Sequence, residues 1–275
     1  MATGVDIVSL RTPTLPPATH TNCWIVGLGD LLVIDPASPW EDEQGRLADR
    51  VDERLEAGEE ITAIVLTHHH RDHVSGAMHL KRHLADQGML VPILAHPANV
   101  GLLPDDLVLD RFIDDKMVLE AGPHRVRAHH TPGHAAGHLV FEGINEGWLI
   151  AGDMVAGVGT ILVDPDEGDL GDYLTSLEHM RSLRPSVMFP SHGPTLHEPE
   201  AVLSMYIAHR HMRTGQIRDA LAVGGEQSPI DLVAAVYPEL HPLFHPLGAK
   251  QILAHLHWMR DQGLAHQAAG GWSSS

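Results

Sequence analysis

The stretch that decides the fold runs from residue 64 to residue 73 and reads Ile-Val-Leu-Thr-His-His-His-Arg-Asp-His. An apolar, strand-like run ends at Thr67, and four potential metal ligands follow within six residues, namely His68, His70, Asp72 and His73. Side chains alternate along an extended chain, so His68 and His70 can point together at one metal ion. The chain then turns into a helix, which can aim Asp72 and His73 at a second ion. This pattern predicts a metal site at the end of a strand.

Further apolar runs along the chain end in the same way. His134 follows the run 126–129, Asp153 follows 148–151, and His192 follows 187–189, each beside a glycine. Asp35 likewise ends the run 31–34. In open α/β architectures the loops at one end of the strands converge on the ligand site. We therefore expect these side chains to join the cluster at residues 68–73.

Strand-like runs alternate with stretches of helical periodicity, which indicates layers of the α/β class. Helices are predicted at 43–56, 75–86 and 170–183, and strand-like runs also occur at 64–66, 91–94 and 139–141. The alternation of strand-like and helical stretches ends near residue 197. Beyond it we predict helices at about 199–222, 228–236 and 246–263, then one short hairpin and a frayed tail. The predicted domains are an α/β catalytic domain, 1–199, and a small, mainly helical domain, 200–275.

Composition narrows the class of protein. The 275 residues include 36 acidic and 18 basic side chains, a formal net charge of −18, which disfavours charge-driven binding of nucleic acid. The 23 histidines raise the expectation of a metal site, and the single cysteine excludes an intramolecular disulfide or a multi-cysteine zinc site. We see neither a secretory leader nor an apolar run of membrane-spanning length. The expectation is a cytoplasmic protein without a membrane partner.

The order Asp35, His68 to His73, His134, Asp153 and His192 resembles the metallo-β-lactamase superfamily over roughly residues 20–195. The resemblance implies an αββα sandwich. It also implies that His68, His70 and His134 bind a first metal, and that Asp72, His73 and His192 bind a second. Asp153 would bridge the two metals, and Asp35 would orient a ligand without binding metal itself.

The chemistry of such a site is metal-dependent hydrolysis. Two cations that share a water molecule lower its pKa from 15.7 to roughly 7, and the resulting hydroxide attacks a carbonyl or phosphoryl centre. Asp72 is the predicted catalytic residue, because it can align the nucleophile and collect a proton. Zn²⁺ is the expected metal, although a set of histidines and aspartates also accepts iron or manganese.

Within the superfamily, the sequence resembles the β-lactamase-like protein 2 type. The similar segments lie at 151–161, 167–177, 191–194, 206–210 and 253–256. True zinc β-lactamases generally lack the bridging carboxylate that Asp153 supplies. The resemblance implies a winged-helix-like C-terminal unit. Some members of this type cleave single-stranded RNA, while fungal relatives are thioesterases that release polyketides from carrier proteins.

The leading hypothesis is hydrolysis of an ester, thioester or lactone, either as a small molecule or bound to a carrier. His138 and Arg210 are the candidate substrate contacts. One alternative is a metal-dependent endoribonuclease that acts on single-stranded RNA, and another is a mononuclear iron persulfide dioxygenase. A non-enzymatic alternative makes the C-terminal unit a DNA- or protein-binding module, but residues 246–263 offer only Lys250 and Arg260 as basic side chains.

Overall fold

The structure is a computed structural model that describes residues 4–275. It separates into two compact units. The first contains the described residues up to 131 together with 137–161 and 183–199, and the second contains 132–136, 162–182 and 200–275. The division of the chain into domains 1–199 and 200–275 stays a prediction, and its residues 1–3 lie outside the described residues.

The first unit contains a six-stranded sheet with the strand order β1-β2-β3-β4-β5-β6. Its strands are, in chain order, Val5–Arg11, His20–Leu28, Asp30–Ile34, Glu60–Val65, Ile93–Ala95 and Arg111–Phe112. The first three strands pair antiparallel, whereas β3 to β6 are parallel. Because parallel strands end at the same edge of a sheet, the residues that follow β3 and β4 come close together. Asp35 follows β3, and the His68 to His73 segment follows β4.

A second sheet of the same unit has five strands in the order β11-β10-β9-β8-β7. These strands are β7 (Val118–Ala121), β8 (His124–His130), β9 (Leu139–Gly143), β10 (Trp148–Gly152) and β11 (Val187–Pro190). β10 and β11 are parallel, and the other pairs are antiparallel. Asp153 directly follows β10 and His192 follows β11 by two residues, so the parallel pair brings these two side chains to one edge.

Alternating side chains of β3 build two separate cores in the first unit. Leu31 and Val33 belong to a cluster with residues of the helices α1 (Glu41–Glu56) and α3 (Ala77–Asp86). Leu32 and Ile34 belong to a cluster with residues of the second sheet. Burial of each such aliphatic side chain stabilises the fold by about 1.5–3 kcal/mol. β3 is thereby fixed on both faces, which defines the position of Asp35 at its end.

The second unit is mainly helical. Its helices are α4 (Leu170–Ser182), α5 (Pro199–Gly224), α6 (Val233–Val236) and α7 (His245–Asp261), followed by the hairpin β12 (Ala265–Ala268) and β13 (Gly271–Ser274). Apolar side chains of α5, α6, α7 and the hairpin form one buried cluster, which includes Ile217, Leu221, Val233, Ile252 and Trp272.

Most of the predicted elements are confirmed, and two differ. The predicted helix 228–236 is present only as α6, because Ser228 donates its backbone N–H to Asp231 Oδ2 (3.1 Å) and opens a turn instead. The predicted C-terminal hairpin is confirmed, but the frayed tail is wrong. Its last residues pair as β13, with Ser274 opposite Ala265.

Across residues 4–275, no helix combines the length and the apolar character that a membrane span requires.

Candidate metal centre

The segment after β4 turns sharply into a short helix, α2 (Arg71–Val74). Gly76, just beyond it, donates its backbone N–H to the carbonyl oxygen of Pro36 (2.7 Å). A Cβ atom at residue 76 would lie 2.3 Å from that oxygen, so only glycine permits this approach. The close contact fixes α2 against the end of β3, which is where Asp35 lies.

Four side chains of the first unit converge on one point. His192 Nε2 lies 3.3 Å from Asp153 Oδ1 and 3.6 Å from Asp72 Oδ2. His73 Nε2 lies 3.6 Å from Asp153 Oδ2 and 4.0 Å from Asp72 Oδ1. Ligands at about 2.0–2.2 Å from one zinc ion lie about 3.3–3.6 Å apart in tetrahedral geometry. The spacing of these four donors is therefore close to that of atoms that share a cation.

The tautomers of His73 and His192 follow from their partners. His73 Nδ1 lies 2.8 Å from Asp35 Oδ2, and His192 Nδ1 lies 2.9 Å from the carbonyl oxygen of His20. Both oxygens only accept, so both histidines donate from Nδ1, and whenever the ring is neutral its lone pair is on Nε2. Nε2 is the atom that faces Asp72 and Asp153, and a hydrogen bond at the other nitrogen is the usual way of orienting a metal-binding histidine.

His68 and His70 form a second group beside these four side chains. Thr67 Oγ1 donates to Asp35 Oδ2 (2.7 Å), so it accepts from His68 Nδ1 (2.9 Å) and leaves the lone pair of His68 on Nε2. His68 Nε2 in turn lies 3.0 Å from His70 Nδ1. Ligand atoms of His68, His73 and Asp153 all lie within 4.8 Å of one another, so Asp153 is within reach of both groups.

The electrostatics of the pocket favour positive charge. Burial lowers the pKa of His73, but the carboxylates of Asp153 and Asp72 outweigh it and hold that pKa well above its ordinary value. Burial likewise lowers the pKa of His192, and Asp153 reverses the effect and raises it. Burial raises the pKa of Asp153, yet His192 and His73 bring it well below the usual range. Ionised carboxylates that are this well enclosed require cations as neighbours.

The donor set fits a metal ion. Within residues 4–275, the buried Nε2 of His73 has no hydrogen-bond partner, although its Nδ1 is held by Asp35. An orphaned imidazole nitrogen of fixed tautomer, facing two carboxylates, is suited to binding a cation. Imidazole and carboxylate ligands together accept zinc, iron and manganese.

His134 belongs to the second unit and is buried there. Its Nδ1 lies 2.7 Å from the carbonyl oxygen of Leu162, also in the second unit. The carbonyl can only accept, so His134 has the same tautomer as His73 and His192, with its lone pair on Nε2.

The structure gives both candidate substrate contacts, His138 and Arg210, partners within the protein. His138 is fully buried, its Nε2 accepts from the backbone N–H of Asp153 (3.0 Å), and its Nδ1 bonds Thr131 Oγ1 (3.0 Å). With both nitrogens engaged, His138 supports the backbone of Asp153, and a substrate contact from His138 stays a prediction. Arg210 is 4 % exposed in the second unit and its guanidinium lies over the Tyr173 ring at 5.0 Å. A substrate contact from Arg210 stays a prediction.

Sequence reasoning missed three groups that orient candidate ligands. Thr67 connects Asp35 to His68, and its position directly before the His-x-His pattern could have indicated that role. The carbonyl oxygens of His20 and Leu162 orient His192 and His134. Every residue has a backbone carbonyl, so no signal in the sequence could have identified these two.

Known proteins resemble this chain in both sequence and structure. Residues 16–192 match the metallo-beta-lactamase superfamily, and residues 228–272 match the beta-lactamase associated winged helix domain. A beta-lactamase-like protein 2 homolog of Drosophila melanogaster is 30% identical over 258 residues, which is 91% of this chain and 86% of that protein. An atrochrysone carboxyl ACP thioesterase of Aspergillus fumigatus is 28% identical, over 86% of this chain and 76% of its own length.

The fold is also found among solved structures. A metallo-beta-lactamase family protein from Thermus thermophilus superposes with a TM-score of 0.79 at 21% identity, over 99% of both chains. The predicted αββα superfamily fold, the winged-helix-like C-terminal unit and the resemblance to the β-lactamase-like protein 2 type are thus confirmed. The chain belongs to the metallo-beta-lactamase superfamily, as a metal-dependent hydrolase with a beta-lactamase associated winged helix domain.

Proposed function

We propose that the chain is a dinuclear hydrolase that cleaves the carbonyl group of esters, thioesters or lactones, presented as small molecules or on a carrier. The position of Asp153 supports this proposal most directly. Asp153 lies near His73 (Oδ2, 3.6 Å) and His192 (Oδ1, 3.3 Å), which are both proposed for the second metal, and it is also within reach of His68, which is proposed for the first. A carboxylate in such a position can bridge two cations.

The ligand sets of this proposal are those expected from the sequence. His68, His70 and His134 bind the first metal, Asp72, His73 and His192 bind the second, and Asp153 bridges them. The tautomers support this assignment, because His68, His73, His134 and His192 all have their lone pair on Nε2. Zinc is the expected metal, and iron or manganese would suit the same ligands.

Bound divalent cations would supply Lewis acidity, which activates water and polarises the scissile carbonyl. The residues of the chain orient the metal ligands and accept the proton that the attacking water loses. Asp72 is partly exposed, with 18 % of its side chain accessible, so it can both contact solvent and take up a proton. Asp35 is 1 % exposed and keeps His73 in the Nδ1-protonated form through each turnover. His138 holds the backbone of Asp153, which keeps that carboxylate in place.

Two observations favour an acyl substrate over nucleic acid. The Aspergillus fumigatus relative is named for thioester hydrolysis on an acyl carrier protein. In addition, the two basic residues of α7 are engaged with acidic side chains: Lys250 pairs with Asp164 (2.6 Å) and Arg260 with Asp261 (2.9 Å). Such pairs leave little positive charge for a phosphate backbone.

The experiment tests a thioester, an ester, a lactone and single-stranded RNA as substrates of the zinc-loaded wild type and of two variants at neighbouring positions. Asp72→Ala removes the proposed proton acceptor, and Arg71→Ala changes an exposed residue of the same short helix. We expect wild type and Arg71→Ala to hydrolyse an acyl-N-acetylcysteamine thioester, and kcat to fall at least about 100-fold in Asp72→Ala with an unchanged Tm. Cleavage of single-stranded RNA without thioester, ester or lactone hydrolysis would support the nuclease instead. An unchanged kcat in Asp72→Ala would contradict the role of Asp72.

A further inference from the structure

Helix α7 holds a short segment of the second unit through two consecutive residues. The side-chain amide of Gln251 donates from Nε2 to the carbonyl oxygen of Val163 (3.0 Å) and accepts the Val163 N–H at Oε1 (3.3 Å). Lys250 pairs with Asp164 (2.6 Å) and Asp166 (3.0 Å). Gln251 and Val163 are both buried, so one amide satisfies both backbone groups of a residue that water does not reach.

The held segment is directly connected to the metal-ligand candidate His134. Leu162 precedes Val163 and accepts the Nδ1–H of His134 at 2.7 Å. Rotation of the 162–163 backbone would move this carbonyl and release the histidine ring. The Nδ1 hydrogen bond sets both the tautomer and the ring orientation of a metal-binding histidine.

The chain around His134 is tied to the same unit on its other side. Gly133 accepts the backbone N–H of Asp169 (2.9 Å), and the Ser176 hydroxyl donates to the Pro132 carbonyl (2.8 Å). Gly133 has φ +133°, and a Cβ atom there would lie 2.3 Å from the Tyr173 backbone. These contacts fix the His134 backbone, while Leu162 fixes its ring.

We propose that Gln251 is a positioning residue for His134, and that it acts through Val163 and the carbonyl of Leu162. Gln251 lies in the family's winged helix domain, at residues 228–272, so a domain outside the metallo-beta-lactamase match helps to build the metal ligand. The role of His134 as a ligand rests on the proposed function above, whereas the orientation of its ring by Gln251 does not.

The test uses full-length variants with a control on the same helix. Gln251→Met keeps a side chain of similar length but forms neither hydrogen bond with Val163. Gln251→Glu keeps the acceptor and gains an ionic partner in Arg210, which lies 3.4 Å from Oε1, but it cannot donate to the Val163 carbonyl. Arg260→Ala removes an exposed side chain of α7 and serves as the control.

Two measurements are made on each variant. The first is the nitrogen-15 NMR signal of the His134 ring, assigned by comparison with His134→Gln, which reports the tautomer whether or not the protein hydrolyses anything. The second is competition of the zinc-loaded chain with a chelator. We expect Gln251→Met to lose the uniform Nδ1–H signal of His134 and to bind one zinc equivalent about 10–100-fold more weakly, with the other equivalent and Tm unchanged. Gln251→Glu should show a smaller loss, and Arg260→Ala none.

A wild-type His134 signal and wild-type zinc affinity in Gln251→Met would overturn the proposal. Equal weakening of both zinc equivalents would also overturn it, because a general loss of folding has that effect. If Gln251→Met does not fold, Gln251→Glu decides: weaker binding of one equivalent supports the proposal, and unchanged binding contradicts it. If the wild type binds one metal or hydrolyses no ester, the proposed function fails, while the His134 signal still decides this inference.

Discussion

Asp35 is the residue on which the geometry of the site depends most. It is 1 % exposed, and its φ of 54° lies in the left-handed region that an aspartate adopts at an energetic cost. Three hydrogen bonds compensate: the backbone N–H of Thr67 (2.8 Å), the Thr67 hydroxyl (2.7 Å) and His73 Nδ1 (2.8 Å). All three partners donate, so the site requires a side chain whose oxygens both accept.

Replacement of Asp35 by asparagine tests this requirement. In one orientation the amide NH2 group would face Thr67 N–H and displace the side chain, and in the other it would face His73 Nδ1–H and remove the acceptor of that histidine. We expect Asp35→Asn to weaken binding of one metal equivalent about 10–100-fold, measured by chelator competition. Asp30→Asn, an exposed aspartate of the same strand, is the control and should match the wild type. The same metal affinity in Asp35→Asn as in Asp30→Asn would show that Asp35 does not orient His73.

The proposed ligands of the site could be selected from the sequence because their spacing indicates which side chains come together. His68 and His70 alternate on an extended segment, and Asp72 and His73 follow on the turn. What orients them could be predicted only in part. Asp35 has a signal, since it ends an apolar run, but the backbone carbonyls of His20 and Leu162 become hydrogen-bond acceptors only after distant segments meet.

Among the elements, the periodic helices and the short apolar strands were predictable, whereas a strand without apolar residues in alternation was not. The helix predicted at 43–56 is α1, and its buried Leu47 and Val51 follow the expected four-residue spacing. By contrast, β6 (Arg111–Phe112) pairs with β5, and both of its residues are exposed, so its sequence shows no apolar alternation. Its strand conformation results from pairing within the sheet, which propensity does not show.

Helix α7 contains a buried histidine that makes the second unit sensitive to acid. Burial and the nearby Arg210 lower the pKa of His255 to about 3, and His255 Nδ1 donates to Thr214 Oγ1 (2.8 Å). In the unfolded chain a histidine has a pKa of about 6.5, so below that pH the unfolded state binds a proton that the folded state does not bind. The contribution of the neutral His255 to the free energy of unfolding is therefore fully present above pH 6.5 and is lost as the pH falls toward 3.

At pH 5.5 the protonation of His255 in the unfolded chain lowers the free energy of unfolding by about 1.4 kcal/mol. Gln in place of His255 can still bond Thr214 but does not titrate. We expect the decrease in Tm between pH 7.5 and pH 5.5 to be smaller in His255→Gln than in the wild type, as followed by circular dichroism. The exposed His266→Gln serves as the control and should retain the full decrease. An identical decrease in all three proteins would contradict the account of His255.

For the whole molecule, a small part of the acidic charge and of the histidine content lies together at one site. The net charge of −18 includes Asp72 and Asp153, whose carboxylates face the same two histidines, His73 and His192. Cations bound there would cancel part of that charge. The sequence could predict the superfamily fold from its motifs. It could not predict that residues 132–136, with His134, pack into the compact unit that contains the C-terminal helices.

The proposed dinuclear site requires that the chain binds two metal ions and that the carboxylate of Asp153 bridges them. The most direct test is the metal content per chain, by elemental analysis of wild type and Asp153→Asn purified without chelator. We predict close to two equivalents of zinc, iron or manganese in the wild type and a loss of at least one in the variant. A single equivalent of iron in the wild type, unchanged in Asp153→Asn, would contradict the dinuclear site and favour the mononuclear oxygenase.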